Sequence, residues 1–594
     1  MVAIDREALK QRYESERLKR IRPDGNEQYV QPVGKFAHLV QDPYTESQHR
    51  DPIDEELTFA FIGGGFSGLV TCAALADAGI TDVRIIEKGG GFGGVWYWNR
   101  YPGAMCDTAA MVYMPLLEQT GHRPSHKYVY GPEIREHCDR IADHYNLRHS
   151  ALLSTGVTSV VWDDNDSRWI ISTDRGDTIR ARFVGLGTGP LHRPKLPGIE
   201  GLESFAGHSF HTARWDYEYT GGSPTCPELT NLANKRVGII GTGATAVQCI
   251  GHLARSAGEL YVFQRTPSSI DVRNNHPIEP DWFDRLEPGW QGEWLKNFTV
   301  LQTGGFAEVD LVQDGWTDIA KRIRDRAIEN GDFSPAGLLA AYHDSDDEKM
   351  TEIRDRVDQV VQDEATAEAL KPWYRQLCKR PCFHDQYLQA FNNPSTHLVD
   401  TDGKGVDRIT ETGVEVGGVH YELDCIVFAS GFEVGTHHTR RMGFEVQGRD
   451  GLTLSDKWAD GMTTLHGMHM NGFPNAFIVG FAQAANLISN IPHNYVEAAN
   501  TLAKIVAHAT KTGAIEVEAD AGAEHGWVRR LLDGGRTFGG AADCTPGYYN
   551  NEGRARTPAE QQTAVGFPEG PAAYFEFIEA WRQSGHFEGL VFSQ

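Results

Sequence analysis

The apolar positions fall into blocks that repeat with one rhythm in two places. Residues 58–88 pass from an apolar block, Phe59 to Ile62, through a glycine-rich turn into an apolar stretch ending near Ala78, then into a second block, Val83 to Ile86. Short apolar runs bounded by turn residues predict strands buried on both faces, and the longer stretch between them predicts the crossover helix of a parallel βαβ unit. The same succession recurs at 235–266, with the strand Val237 to Ile240 leading into the turn. Two further apolar blocks end in glycine turns, FVGLGTGPL (183–191) and CIVFASGFE (425–433), and GFPNAFIVG (472–480) reads as a turn entering a buried strand. Between about 276 and 375 the period changes. Ile353, Val357, Val360 and Val361 recur at helical spacing amid Asp, Glu and Arg, which predicts a helical insertion placed to roof a pocket or to act as pure scaffold. The first 50 residues, with LKQRYESERLKRIRPDG, predict a helical arm of mixed charge that wraps the surface.

The two turns carry different chemistry. The first reads Gly63-x-Gly65-x-x-Gly68, and the second strand ends on Glu87, nineteen residues after the last glycine. Missing side chains let a backbone and a helix N-terminus approach a pyrophosphate, and a carboxylate at that offset accepts from ribose hydroxyls. The second turn reads Gly241-Thr242-Gly243-Ala244-Thr245-Ala246, and nineteen residues after Ala246 stands Arg265. A 2′-phosphate is repelled by a carboxylate and held by a guanidinium. The first site therefore suits FAD and the second NADPH, with Thr266 adding a hydroxyl beside Arg265. The predicted fold class is α/β, with two Rossmann-like dinucleotide-binding domains of the disulfide-reductase flavoprotein type and a helical insertion. The expected order is an extension (1–50), the FAD domain (51–200), the NADPH domain (201–275), the insertion (276–375), the rest of the NADPH domain (376–420), and the rest of the FAD domain with a tail (421–594).

Composition narrows the partners. A net charge of −25 over 594 residues excludes a general phosphate-tracking surface, so no nucleic acid is expected. The longest nearly apolar run, 476–488, contains Gln483 and Asn486 and is too short to span a bilayer; with no leader-like start, the expectation is a soluble, cytoplasmic protein without membrane contact. Nine scattered cysteines predict reduced thiols. Cys378 and Cys382 in CKRPC lack the spacing and the position of a disulfide-reductase pair and are read as packing residues. No oligomeric state is predicted.

FAGHSFHTARWDY (205–217) falls in the connection between the two domains. His208 and His211 lack further ligands at metal spacing, so no metal is expected. The stretch fits Phe-x-Gly-x-x-x-His-x-x-x-Trp-Asp through Phe205, Gly207, His211, Trp215 and Asp216, which resembles the fingerprint of the Baeyer–Villiger monooxygenases; His208 falls outside it. GGVWYWNRYPGAMCD resembles a second signature of that family through Gly94, Trp96, Tyr101, Pro102, Gly103 and Asp107, with Met105 where better-known members often carry Arg. The resemblance implies an NADPH- and FAD-dependent monooxygenase that takes a small-molecule ketone and O2. It assigns Arg380 as the cation that stabilises developing oxygen charge, Asp107 as its orienting partner, Lys379 as helper to Arg265, and Val95, Trp96, Tyr113 and the Val157 backbone as flavin neighbours. His211 and Trp215 are expected to couple domain rotation to cofactor arrival. DCTPGYYNNEG (543–553) and the arm resemble the subgroup acting on macrocyclic, steroid-like and polycyclic terpenoid ketones. A tricyclic keto acid as substrate would want a cation, for which Arg440 and Arg441 are candidates. The rivals are an N-hydroxylating flavin monooxygenase, a plain NADPH oxidase and a non-catalytic flavin sensor.

Overall fold

The computed structural model describes residues 5–46, 48–434, 436–480, 482–486, 490–534 and 543–594. Two sheets organise the chain. In the larger, strands run in the order Glu445–Gln447, Val157–Asp163, Arg168–Thr173, Thr178–Leu186, Asp54–Ile62, Val83–Ile86 and Ala151–Leu152, and Ala476–Ile478 also pairs with Thr178–Leu186. Its centre is parallel: Asp54–Ile62 lies between Val83–Ile86 and Thr178–Leu186, and the helix Phe66–Asp77 makes the crossover. Phe59, Phe61, Phe183 and Phe477 are fully buried, with Phe59 stacked at 6.5 Å on Phe183 and 6.3 Å on Phe477. Each such ring stabilises by about 1.5–3 kcal/mol relative to an exposed one. The second sheet is parallel throughout, in the order Thr396–Asp400, Glu259–Gln264, Arg236–Ile240, Cys425–Phe428, His208–His211.

Cys425–Phe428 pairs with Arg236–Ile240, so the chain is still in the second domain at these residues and leaves it later than the expected boundary at 421. A buried apolar run does not announce which of two parallel sheets receives it. The insertion is helical as expected, with Trp290–Gln302, Gly315–Asn330, Pro335–Val360 and Glu364–Leu370. It touches both domains: Phe298 packs into the first core, and Val357 and Val361 into the second. The arm begins with the helix Arg6–Leu18, capped by Asp5, and lies on the insertion, where Arg6 pairs with Asp344 and Arg12 sits 5.1 Å over Trp373. Phe481, Leu487 and Ile488 of the apolar run 476–488 lie outside the described residues, and among the described residues no helix is long and apolar enough to cross a membrane.

The expectation of reduced cysteines is corrected at one pair. Cys378 and Cys544, 166 residues apart, form a disulfide, while Cys382 is a buried free thiol. Cys378 is thus a covalent staple and not a packing residue; its partner lies in the tail, where sequence spacing carries no signal.

Candidate active site at the domain junction

The first glycine turn is a backbone cradle. Gly63 has φ +119°, and a Cβ there would lie 2.7 Å from the Gly187 carbonyl oxygen. A Cβ at Gly68 would lie 2.1 Å from the Gly63 carbonyl oxygen, so the helix presses directly on the turn. Glu87 is buried and accepts from the N–H groups of Gly64 and Gly89, each at 2.6 Å. Burial raises its pKa, and those two N–H groups oppose the rise. The short helix Val95–Trp98 follows, and Trp96 Nε1 donates to the Tyr113 hydroxyl at 3.0 Å. Gly63, Gly65, Glu87, Val95, Trp96, Tyr113 and Val157 all face one cavity of about 860 Å³. Gly68 shapes the turn from behind. Bare backbone where a Cβ would collide, with a buried carboxylate at the far end, fits a dinucleotide such as FAD.

The second turn repeats the geometry. Gly241 has φ +115°, and a Cβ there would lie 2.7 Å from the Ala429 carbonyl oxygen. Gly243, Ala244 and Thr245 face the same cavity. Thr242 instead donates its hydroxyl to the Thr266 carbonyl at 2.7 Å, and Ala246 lies in the domain core. Thr266 is not brought to the shared cavity; its buried hydroxyl has no partner among the described residues, and the residue lines a separate small hollow with Arg20 and Thr545. Arg265 and Lys379 do line the cavity. Arg265 sits 3.2 Å from the Glu552 carboxylate. Burial and then Arg265 push the Lys379 ammonium down to about 8, with Glu552 opposing. Two cations beside this cradle fit a 2′-phosphate.

Where the cradles meet, Arg380 Nη2 donates to Asp107 Oδ1 at 2.6 Å. The Asp107 side chain is 6% exposed and that of Arg380 36%, so the carboxylate is sunk and the guanidinium faces the cavity. Burial works against the arginine's charge, but Asp107 and the nearby Tyr549 and Tyr548 hold its pKa well above the usual value. Sequence reasoning missed Trp316, whose ring lies 5.5 Å under Arg380 while its Nε1 donates to the Asp107 carbonyl at 3.1 Å. It also missed Gln248, on the helix Ala244–Ser256 after the second glycine turn, which donates to the Met105 carbonyl at 2.8 Å and accepts from the Tyr101 hydroxyl at 2.9 Å, tying that helix to the signature around Met105. Arg440 is spent on Glu433 at 2.7 Å, whereas Arg441 lines the cavity with its Nε buried and no ion-pair partner among the described residues.

None of Phe205, Gly207, His211, Trp215 and Asp216 lines the cavity. They build the joint behind it. A Cβ at Gly207 would lie 2.5 Å from the Phe205 ring, and Trp215 Nε1 donates to the Thr220 hydroxyl at 3.1 Å. His211 is fully buried; burial and then Arg214 pull its pKa to about 3, so it is neutral. His208, outside the fingerprint, joins the same joint: its Nε2 lies 2.9 Å from Asp216 Oδ2 and its ring stacks at 3.9 Å on Tyr219. The member of this stretch that reaches the cavity is Arg214, lying 4.1 Å over the Trp98 ring.

Residues 60–315 match the pyridine nucleotide-disulphide oxidoreductase family. The chain is 48% identical over 586 residues to the neopentalenolactone D synthase of Streptomyces avermitilis, covering 98% of both. It superposes on the polycyclic ketone monooxygenase of the fungus Thermothelomyces thermophila with a TM-score of 0.91 at 37% identity over 99% of both chains. It also superposes on the OTEMO complex with FAD and NADP, with a TM-score of 0.74 at 26% identity over 92% of this chain and 100% of that one.

Proposed function

The chain belongs to the Baeyer–Villiger monooxygenases and uses FAD and NADPH, and from that premise we propose that it inserts one atom of O2 beside the carbonyl of a bulky polycyclic ketone to give a lactone, in the manner of pentalenolactone D formation. When bound, the flavin supplies oxygen activation and NADPH the electrons, chemistry no side chain here provides. The chain's own residues bind, orient and shield. Arg380 presents a fixed cation to charge that develops on oxygen, in a site walled by Trp316, Tyr548 and Tyr549, where a preorganised cation needs no reorganisation at the moment of reaction. Asp107 keeps that guanidinium in plane. Arg265 and Lys379 hold the 2′-phosphate, and the buried joint at Trp215 and His211 transmits domain rotation.

The observation that carries this reading is the single cavity in which both glycine cradles and the Arg380–Asp107 pair converge. The finer assignment is a tricyclic sesquiterpenoid keto acid, 1-deoxy-11-oxopentalenate, with Arg441 as the cation for its carboxylate. What supports it is a guanidinium lining the same cavity with no ion-pair partner among the described residues, beside an Arg440 that is already paired. NADPH consumption and product mass are compared for cyclohexanone, a macrocyclic ketone and the tricyclic acid. Gain of one oxygen by the acid alone supports the assignment, and equal conversion of the macrocycle or cyclohexanone overturns it while leaving the family intact.

A further inference from the structure

We propose that the coenzyme site is completed from outside the two nucleotide domains, by a C-terminal strap (residues 544–553) whose Glu552 is the positioning residue for Arg265, and that the Cys378–Cys544 disulfide pins this strap over Lys379. The inference rests on the assignment of Arg265 and Lys379 to the NADPH 2′-phosphate.

A guanidinium recognises phosphate as a planar fork, so its plane has to be fixed before the ligand arrives. Two of the groups that hold the Arg265 guanidinium come from the arm and the strap. Nη1 donates to Gln28 of the arm, and Nη2 lies 3.2 Å from Glu552 of the strap. The arm and strap are themselves joined, with Asn26 Nδ2 donating to Asn551 Oδ1 at 2.7 Å. Glu552 is 3% exposed and holds a left-handed backbone, φ 53°, a conformation that is strained for a non-glycine residue and persists only where the surroundings impose it. Asn550 imposes it: its side chain accepts from the N–H groups of Gly547 at 2.9 Å and Gly553 at 3.2 Å and donates to the Thr545 carbonyl at 2.9 Å.

The disulfide sets where this folded strap lies. Cys378 immediately precedes Lys379 and Arg380, and its bond to Cys544 brings Gly547 so close that a Cβ there would lie 3.8 Å from Lys379 Nζ. Tyr548 and Tyr549 then face the cavity beside Arg380. The charges agree with a supporting role for Glu552. Arg265 and Lys379 repel one another, and burial together with Arg265 already weakens the lysine's charge; the Glu552 carboxylate opposes both effects and still leaves the site net positive for a phosphate.

The test uses full-length, FAD-loaded enzyme with a converted ketone and reads KM and kcat for NADPH and NADH. Glu552→Gln is expected to raise the NADPH KM by about tenfold, the equivalent of one charge-assisted contact. The NADH KM and the kcat at saturating NADPH are expected to stay within about twofold, so that coenzyme preference falls. Cys544→Ala is expected to move the NADPH KM in the same direction. Wild type in dithiothreitol should do likewise: the dithiol delivers two electrons and two protons to the S–S bond and leaves as its cyclic disulfide, whereas dithiothreitol added to Cys544→Ala should change nothing. An unchanged or lowered NADPH KM in Glu552→Gln, or an equal loss for both coenzymes, overturns the proposal. Should that variant fail to retain FAD, the wild-type comparison with and without dithiothreitol decides alone, and no change in NADPH KM overturns the proposal. A wild type whose NADPH oxidation does not respond to any ketone refutes the functional reading instead.

Discussion

Replacing Arg380 by Met removes the cation and keeps most of the stem, which makes it the sharpest perturbation of the site. The lost contact is a 2.6 Å charge-assisted bond to a carboxylate that is 6% exposed, on a guanidinium whose other face looks into the cavity. Removing one preorganised donor from a site of developing oxygen charge costs about 2.7–4 kcal/mol, or roughly 10²–10³ in rate. The variant also strands Asp107 in a buried position, worth about 3 kcal/mol of stability, at the low end of the range for broken buried pairs because a third of the arginine side chain is exposed. The flavin cradle lies on other residues, so flavin content should stay near that of wild type. The assay follows NADPH loss, hydrogen peroxide and lactone in the same reaction. Lactone per NADPH should fall by at least two orders of magnitude while NADPH oxidation and peroxide release continue. An undiminished ratio of lactone to NADPH refutes the role given to Arg380. Arg380→Lys, which keeps charge but loses the planar fork, should fall between the two.

Three further expectations follow from particular contacts. Lys379 is held at about 8 by burial and Arg265, below its ordinary value; the 2′-phosphate needs its charged form, so NADPH KM should rise as pH increases through about 8 from the neutral range where the phosphate is fully ionised, and Lys379→Met should abolish that rise. The sign for folding is the reverse: the cost of burying this charge is full below pH 8 and fades between about pH 8 and 10.5, so the coenzyme-free protein gains stability from this group as pH rises through that window. Gly241→Ala puts a Cβ 2.7 Å from the Ala429 carbonyl oxygen at φ +115° and should raise NADPH KM far more than it lowers FAD content, measured by flavin absorbance and steady-state kinetics; loss of FAD with unchanged KM would contradict the division of the two cradles. Arg441→Ala should raise KM for a keto acid by about tenfold and leave its methyl ester unaffected, and equal effects on both would remove Arg441 from the substrate site.

The sequence carried what is local. Gly63 and Gly241 are legible because a turn at φ near +115° to +119° against a carbonyl oxygen accepts little else, and Glu87 and Arg265 follow by offset from those turns. Arg380 comes only through resemblance, since nothing in CKRPC by itself marks that arginine as a site residue. What stayed hidden depends on partners far away in the chain. Trp316 meets Asp107 across 209 residues, Gln248 meets Met105 across 143, Arg265 meets Glu552 across 287 and Cys378 meets Cys544 across 166. No periodicity encodes such pairs, because loop closure is settled by the whole fold. The return boundary at 421 failed for a related reason: Cys425–Phe428 looks like any buried parallel strand, and its sheet is chosen by pairing with Arg236–Ile240.

The most direct test of the central claim is the fate of oxygen. Purified FAD-loaded enzyme, NADPH and a polycyclic ketone are incubated under ¹⁸O₂, and the product is analysed by mass spectrometry alongside NADPH consumption. The account predicts a lactone carrying one ¹⁸O atom, with one NADPH consumed for each lactone formed. Ketone recovered unchanged while NADPH is converted quantitatively into hydrogen peroxide would contradict it.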